Sequence, residues 1–337
     1  MMEHVTTEDS RSAVRLAALC GGLLLLVLAL VLAVAAGAVH ISLSDIYQAV
    51  TAPGKTDTYR IIYTLRMPRA VCAALAGANL ALSGCILQGI LRNPLADPGI
   101  IGISAGAGLA AMALMLIAPA FTNLVPFAAF IGAMFAAAVV FFLSYERGVN
   151  PLRLVLAGVA VAAFFGGGMT ALSVFFSDKI QGTVSWMAGG FAGSNWQHVR
   201  MILPYSVLGI IGTLCYYRKL NALQLGDDVA KTLGVHTERT RGILVALAAL
   251  LAASAVSVAG LLGFVGLIVP HVMRLIVGSD FESLLPCSAI FGAVLVVAAD
   301  VAARTVFSPV EVPVGIFMSF IGAPFFLYLL KRRMRNA

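Results

Sequence analysis

The sequence predicts an all-α integral membrane protein of about ten transmembrane helices, and three observations carry that expectation. Of its 337 residues, 61% are hydrophobic and only 11% charged, against roughly a quarter charged in soluble domains. Apolar runs recur at about twenty residues, the length of helix that crosses a bilayer core. The 33 glycines and many alanines lie inside those runs, where small residues let helices approach one another in lipid.

In chain order the expected spans cover residues 14–39, 66–91, 95–118, 124–143, 151–177, 199–217, 241–258, 261–278, 284–307 and 312–331. The first closes on small residues in the manner of a signal-peptidase site, but it exceeds the usual apolar region of a signal peptide and is read as a span. Two junctions, Arg92-Asn93-Pro94 and the stretch around Gly260 and Gly263, are so tight that short or broken helices are expected there. This organisation makes 1–13 an N-terminal tail, 14–331 a single transmembrane domain and 332–337 a basic tail.

Orientation follows from lysine and arginine, which are retained on the cytoplasmic side. With the N-terminus inside, that side collects Arg11, Arg15, Arg92, Arg147, Arg153, Arg218, Lys219, Lys231, Arg239, Arg241, Arg274, Lys331, Arg332, Arg333 and Arg335. Lys55, Arg60, Arg66, Arg69, Lys179, Arg200 and Arg304 remain outside. An even number of spans with both termini cytoplasmic fits this bias, as does a multi-pass protein of the cell membrane. Trp186 and Trp196 then fall in an outer loop, near the interface that suits amphipathic rings.

The net charge of +7 is dispersed through short gaps between apolar runs, so topology explains it better than a nucleic-acid partner does. Cys20, Cys72, Cys85, Cys215 and Cys287 show no C-x-x-C spacing, which argues against a disulfide framework or a zinc site. Gly54-Lys55-Thr56 imitates the tail of a phosphate-binding loop, but Ala49 stands where that pattern needs its first glycine. Nucleotide is therefore expected on another chain, and no metal is expected on this one.

Three polar features remain. His271, behind Pro270 inside the eighth span, is an intramembrane ionisable group and so a candidate for function, with a hydrogen-bonded packing histidine as the plainer reading. Asp300 and Arg304 stand four apart on one helix, the spacing of an ion pair; Arg304 is then free to present charge outward, as are Arg66 and Arg69 at the outer start of the second span. Interfacial anchoring is the alternative for these arginines. Between the sixth and seventh spans, in the inner segment 218–240, Leu225-Gly226-Asp227-Asp228-Val229-Ala230-Lys231-Thr232-Leu233-Gly234-Val235 reads as a short helix, with Asp227 placed to cap its start and Gly234 its end. Such a helix between two spans is expected to dock on a peripheral protein, or otherwise to lie on the lipid surface.

Two other classes compete. A membrane-embedded enzyme using His271 or Asp300 needs a second catalytic group at the same cavity, which the spacing does not offer. An ion-coupled secondary transporter normally buries carboxylates near the midplane, and Asp300 is the one acidic residue well inside an expected span.

A chain of motifs adds a further line of argument. Arg66-Met67-Pro68-Arg69 is followed by Ser83-Gly84, Gln88 and Arg92-Asn93-Pro94-Leu95-Ala96-Asp97-Pro98-Gly99. Leu156-Ala157-Gly158-Val159, Trp186-Met187-Ala188-Gly189-Gly190 and the Leu225 to Val235 segment come next. Gly263-Phe264-Val265-Gly266-Leu267-Ile268-Val269-Pro270-His271, Ala299-Asp300-Val301-Ala302-Ala303-Arg304, Glu311-Val312-Pro313-Val314-Gly315 and Gly322-Ala323-Pro324 complete the series. In order and spacing, from about Arg66 to Leu330, these resemble the FecCD family of permeases, which import iron-siderophore, haem and cobalamin complexes. The wording after Asn93, continuing through Ile103-Ser104-Ala105-Gly106-Ala107, is most similar to ferric-siderophore permeases.

The resemblance implies a BtuC-like fold of ten helices working as a non-catalytic permease subunit. It also implies a second permease subunit, two cytoplasmic ATPase subunits that hold ATP and Mg, and an extracytoplasmic substrate-binding protein. Carried over position by position, Arg66, Arg69 and Arg304 match arginines that dock the binding protein. Leu225, Gly226, Asp227, Asp228, Ala230, Leu233 and Gly234 match the helix that couples to the ATPase. Gly166, Gly167 and Gly168 fall on an expected pathway helix, and Asn150-Pro151 at the expected inner gate, with plain helix packing as the alternative for the glycines.

Overall fold

The computed structural model describes residues 2–37, 41, 42, 44, 45, 47, 51, 54, 57–145, 150–308 and 310–335. His40, Ala49, Lys55, Thr56 and Arg147 lie outside the described residues, as do the side chains of Arg11, Arg332, Arg333 and Arg335.

The described chain is helical throughout, without a strand element. Its α-helices are α1 (Met2–Ala35), α2 (Asp57–Arg60), α3 (Met67–Leu91), α4 (Ile103–Ile117), α5 (Val125–Ser144), α6 (Pro151–Phe175) and α7 (Gln181–Met187). They continue as α8 (Trp196–Cys215), α9 (Tyr217–Gln224), α10 (Asp227–Thr232), α11 (Thr237–Ala259), α12 (Val265–Val277), α13 (Phe281–Thr305) and α14 (Val314–Arg335). Among the described residues, seven helical stretches are long and apolar enough to cross a membrane, while Ile103–Ile117, Val265–Val277 and Val314–Leu329 are apolar but shorter. Each of the ten expected spans thus meets a helix; α4 and α12, of 15 and 13 residues, are too short to qualify by length, whereas α14 as a whole runs for 22 residues.

Helices α3 and α11 sit at the centre. Their sequences are apolar or small all round, the pattern of a helix enclosed on every side, and from Ala76 to Ile90 every residue of α3 is buried. Helices α8, α12 and α13 pack around α3, α4 pairs with α5, and α1 lies along α13. Close approach depends on glycine at two crossings. A methyl group at Gly84 would overlap the Gly266 carbonyl, and one at Gly77 would overlap that of Gly292, so α12 and α13 meet α3 almost backbone to backbone. Helices α1 and α6 instead expose Leu24, Leu28, Leu156, Val159 and Phe164 on the outer face of the bundle.

Both tight junctions are breaks. Helix α3 stops at Arg92, whose φ of 49° is left-handed, an uncommon conformation for a residue other than glycine. Asp97 then caps a 3-10 turn, Pro98–Ile101, by accepting from the Gly99 N–H at 2.8 Å, and Gly102 at φ 72° starts α4. This unwinding shortens the expected 95–118 span. The second break, ahead of α12, turns on Gly260 and Phe264, both at φ 68°. Unpaired backbone groups are costly at membrane depth, and one side chain serves both breaks. Gln88 donates to the carbonyls of Ala96 at 3.4 Å, Gly266 at 3.2 Å and Leu267 at 3.5 Å, and accepts from Arg274 at 3.0 Å.

Candidate docking and coupling sites

The two ends of the bundle carry separate polar clusters. At the end where α1 finishes, a six-residue π-helix, Ile61–Arg66, runs into α3. Such wide, irregular turns recur at functional positions. Here it delivers Arg66 inward: Nη1 donates to the carbonyls of Val34 at 2.6 Å and Ala35 at 2.7 Å. Arg304, from α13, donates to the Ala33 carbonyl at 2.6 Å. Two guanidinium groups therefore cap the last carbonyls of α1, which have no partner within their own helix and carry the negative end of its dipole. Arg66 and Arg304 are 7% and 8% exposed.

Arg69 is arranged differently. Its Nε donates to both carboxylate oxygens of Asp300, at 3.2 and 3.0 Å, and its Nη2 to Oδ1 at 3.0 Å. Its Nη1 donates to Glu311 at 2.9 Å. The Asp300 to Arg304 pair read from the four-residue spacing is present at 3.6 Å, but it is the looser of the two contacts that Asp300 makes. The fork from Arg69 is the stronger kind of charge-assisted bond. Sequence spacing gave no sign of it, because Arg69 and Asp300 lie 231 positions apart. Glu311, a second partner missed, stood within a quoted motif without an assigned role. All three arginines and Glu311 line one cavity of about 650 Å³.

At the opposite end, α10 is a helix of six residues. Its start corrects the sequence reading: the N-cap is Gly226, at φ 107°, and Asp227 makes no capping hydrogen bond. The Asp227 carboxylate instead accepts from Arg241 at 2.6 and 2.8 Å and from Arg92 at 3.4 Å. This ties α10 to the start of α11 and to the break after α3. The Arg241 hydrogen bonds hold the Asp227 carboxyl below its ordinary pKa, with the charges of Arg241, Arg92 and Lys231 adding to the effect. The C-terminal end is as expected. Gly234, at φ 78°, follows the helix, and the Val235 to Ala230 and Gly234 to Lys231 hydrogen bonds, at 3.0 and 2.9 Å, form a Schellman turn.

Ala230 points into the bundle, while Leu225, Val229 and Leu233 are 63%, 45% and 60% exposed. Val229 lies on α10, with Leu225 before its N-cap and Leu233 at its C-cap, so exposed apolar side chains stand on the helix and at both of its ends. Asp228 is exposed beside them. Nearby, Asp280 caps α13, accepts from Asn221 of α9 at 2.8 Å and pairs with Arg15 of α1 at 3.5 Å.

The remaining expected residues do not gather into a site. Asn150 caps α6 by accepting from the Leu152 N–H at 2.9 Å, with Pro151 in the first turn. Gly166 and Gly167 have nothing near the position of a Cβ, while Gly168 packs on Leu109 of α4. His271 lies edge-on to Phe325, with ring centroids 6.3 Å apart.

A glycine-packed bundle of long apolar helices with two breaks between them, an arginine cluster at one end and a short exposed helix at the other has the build of a multi-pass membrane protein. Residues 23–332 match the model of the FecCD transport family, and the chain belongs to that family. It is 41% identical over 323 residues to the iron(3+)-hydroxamate import system permease protein FhuB of Bacillus subtilis, covering 94% of this chain and 84% of that protein. It is 39% identical to the Fe(3+)-citrate import system permease protein YfmE of the same organism, covering 99% and 100%. With the cobalamin import system permease protein BtuC of Halobacterium salinarum it shares 44% identity, covering 87% and 79%. Among solved structures it is similar to an inward-facing ABC transporter of metal-chelate type, with a TM-score of 0.83 and 32% identity, covering 93% of this chain and 98% of that one.

Proposed function

We propose that this chain is the non-catalytic permease subunit of an ATP-driven importer of iron complexes, ferric siderophores first among them. The observation that carries the proposal is the family match across residues 23–332. A count of ten spans, two of them short helices, with both termini in the cytoplasm, fits the distribution of lysine and arginine. Residues 14–331 form the single permease domain, flanked by the tails 1–13 and 332–337. The permease pairs with a second copy or a sister subunit, as the two permeases named for the iron(3+)-hydroxamate system of Bacillus subtilis suggest.

Work enters through α10. Leu225, Val229 and Leu233, on and beside it, are exposed, and Asp227 ties the helix to Arg241 and Arg92, so a push on these side chains reaches α11 and the break at Arg92. The natural occupant is an ATPase subunit, two per importer, which holds the ATP and Mg. At the outer end Arg66, Arg69 and Arg304 set up a positive field suited to an acidic binding protein; such charges raise encounter rates and weaken with salt. The substrate then crosses by alternating access, past α6 with its Gly166-Gly167-Gly168 stretch and an inner gate at Asn150-Pro151. Cobalamin is the second substrate reading, favoured over haem by the Halobacterium relative.

The test is uptake of radiolabelled ferric hydroxamate, ferric citrate and cobalamin into proteoliposomes holding this chain with its ATPase and binding protein. ATP-dependent uptake of an iron complex is the expected result. Uptake driven by an ion gradient without ATP would remove the importer reading.

A further inference from the structure

The three arginines of the outer cluster are not equivalent. Arg66 and Arg304 are buried and spend hydrogen bonds on the α1 carbonyls. Arg69 divides its donors between two carboxylates of opposite character. The Asp300 side chain is 3% exposed and held from two sides, by Arg69 and Arg304. The Glu311 side chain is 49% exposed, and among the described residues its hydrogen-bonded ion pair is with the Arg69 Nη1 at 2.9 Å. A buried pair resists exchange because removing one partner strands a charge in a poor solvent; an exposed pair is weak and readily replaced. The backbone beside Glu311 is fixed, since Val312 donates to the Ala303 carbonyl at 3.2 Å and Gly315 to that of Gly189 at 3.0 Å. Its carboxylate can therefore swing away without any change of fold.

We infer that Glu311 is a built-in competitor for Arg69: its carboxylate occupies the outward N–H that a carboxylate of an acidic partner surface would take. Docking at this end, which rests on the reading of the cluster given above, is then an exchange of one carboxylate for another. Charge supports the assignment. Arg66, Arg69, Arg304 and Glu311 line the cavity and Asp300 lies behind Arg69, so the cluster of three arginines and two carboxylates carries one net positive charge; neutralising Glu311 leaves two. The exchange tunes contact strength downward and flattens its dependence on salt, because each ion pair formed replaces one that is lost.

The experiment uses the full chain in zwitterionic nanodiscs and a fluorescent hexaglutamate peptide as the carboxylate probe, read by anisotropy. Glu311→Gln is expected to bind the peptide about fivefold more tightly than the unaltered chain, the scale of one exposed ion pair, with a steeper loss on adding salt. Arg69→Gln in the Glu311→Gln background should abolish that gain, and Arg69→Lys should restore part of it, with monodisperse elution confirming that each variant folds. Equal affinity for the unaltered chain and Glu311→Gln, or a gain that survives loss of Arg69, overturns the inference. The two readings fail separately. If the peptide results hold but Arg69→Glu leaves ATP-driven uptake intact, the exchange stands and the docking role of this end falls. If uptake needs Arg69 but Glu311→Gln binds the peptide no better, the exchange alone is wrong.

Discussion

Replacing Asp300 by asparagine preserves shape and removes one charge, so it isolates what that carboxylate does for the bundle. Its side chain is 3% exposed. It accepts three hydrogen-bonding contacts from Arg69 and lies 3.6 Å from the Arg304 guanidinium. Asparagine turns one acceptor into a donor aimed at a cation, and it strands Arg69 and Arg304, whose side chains are 16% and 5% exposed. Breaking a buried pair in this way costs about 3–5 kcal/mol. The lower end applies, because Arg69 borders an open cavity and keeps Glu311. At roughly 2 °C per kcal/mol for a long chain, the apparent melting midpoint falls by about 6 °C. Size-exclusion chromatography of heated, detergent-solubilised protein measures this directly. The Asp300→Asn, Arg69→Gln double variant should lose less than the sum of its two single variants, because the hydrogen bonds between the two side chains are lost once rather than twice, and the cycle should show strong coupling. A shift within 1 °C for Asp300→Asn, or simple additivity in the cycle, would show that the cluster does not hold the bundle together.

Gly84→Val should destabilise the protein by about 1–3 kcal/mol or more, because it forces α3 and α12 apart, whereas Gly167→Val, facing open space, should leave the melting midpoint unchanged. Ser at Leu225, Val229 and Leu233 together should leave that midpoint intact, since all three side chains are exposed, while abolishing co-purification with the ATPase subunit. The Asp227 carboxyl has a lowered folded pKa. Its contribution is therefore fully present above the ordinary carboxylate value of about 3.9 and is lost as pH falls through the depressed one. Hydrogen exchange of the 225–241 segment should accelerate in that acid window, and Asp227→Asn should remove the pH dependence.

How much of this was legible depends on the range of the interaction. The apolar runs, the two breaks and the Gly234 cap could be read because each is settled by neighbours within a few positions. Asp227 shows where local reading fails. Its place at a helix start suggested a cap, but Arg241, fourteen residues on, offers a charged partner that a backbone N–H cannot match. Arg66 and Arg304 looked outward by topology, yet they turn inward because the carbonyl end of α1 arrives beside them.

The sequence by itself determined that the chain lives in a membrane as a helical bundle, and the order of its motifs determined its family. Both are matters of composition and local pattern, since every apolar run must satisfy its own backbone within its own helix. Only the tertiary structure decided which arginine keeps an exposed ion pair, which carboxylate holds it from behind and which side chains around α10 are free. Those outcomes depend on contacts beyond local reach, fourteen positions for Asp227 and Arg241 and 231 for Arg69 and Asp300, the latter in a buried place where an unpaired charge is too costly to keep.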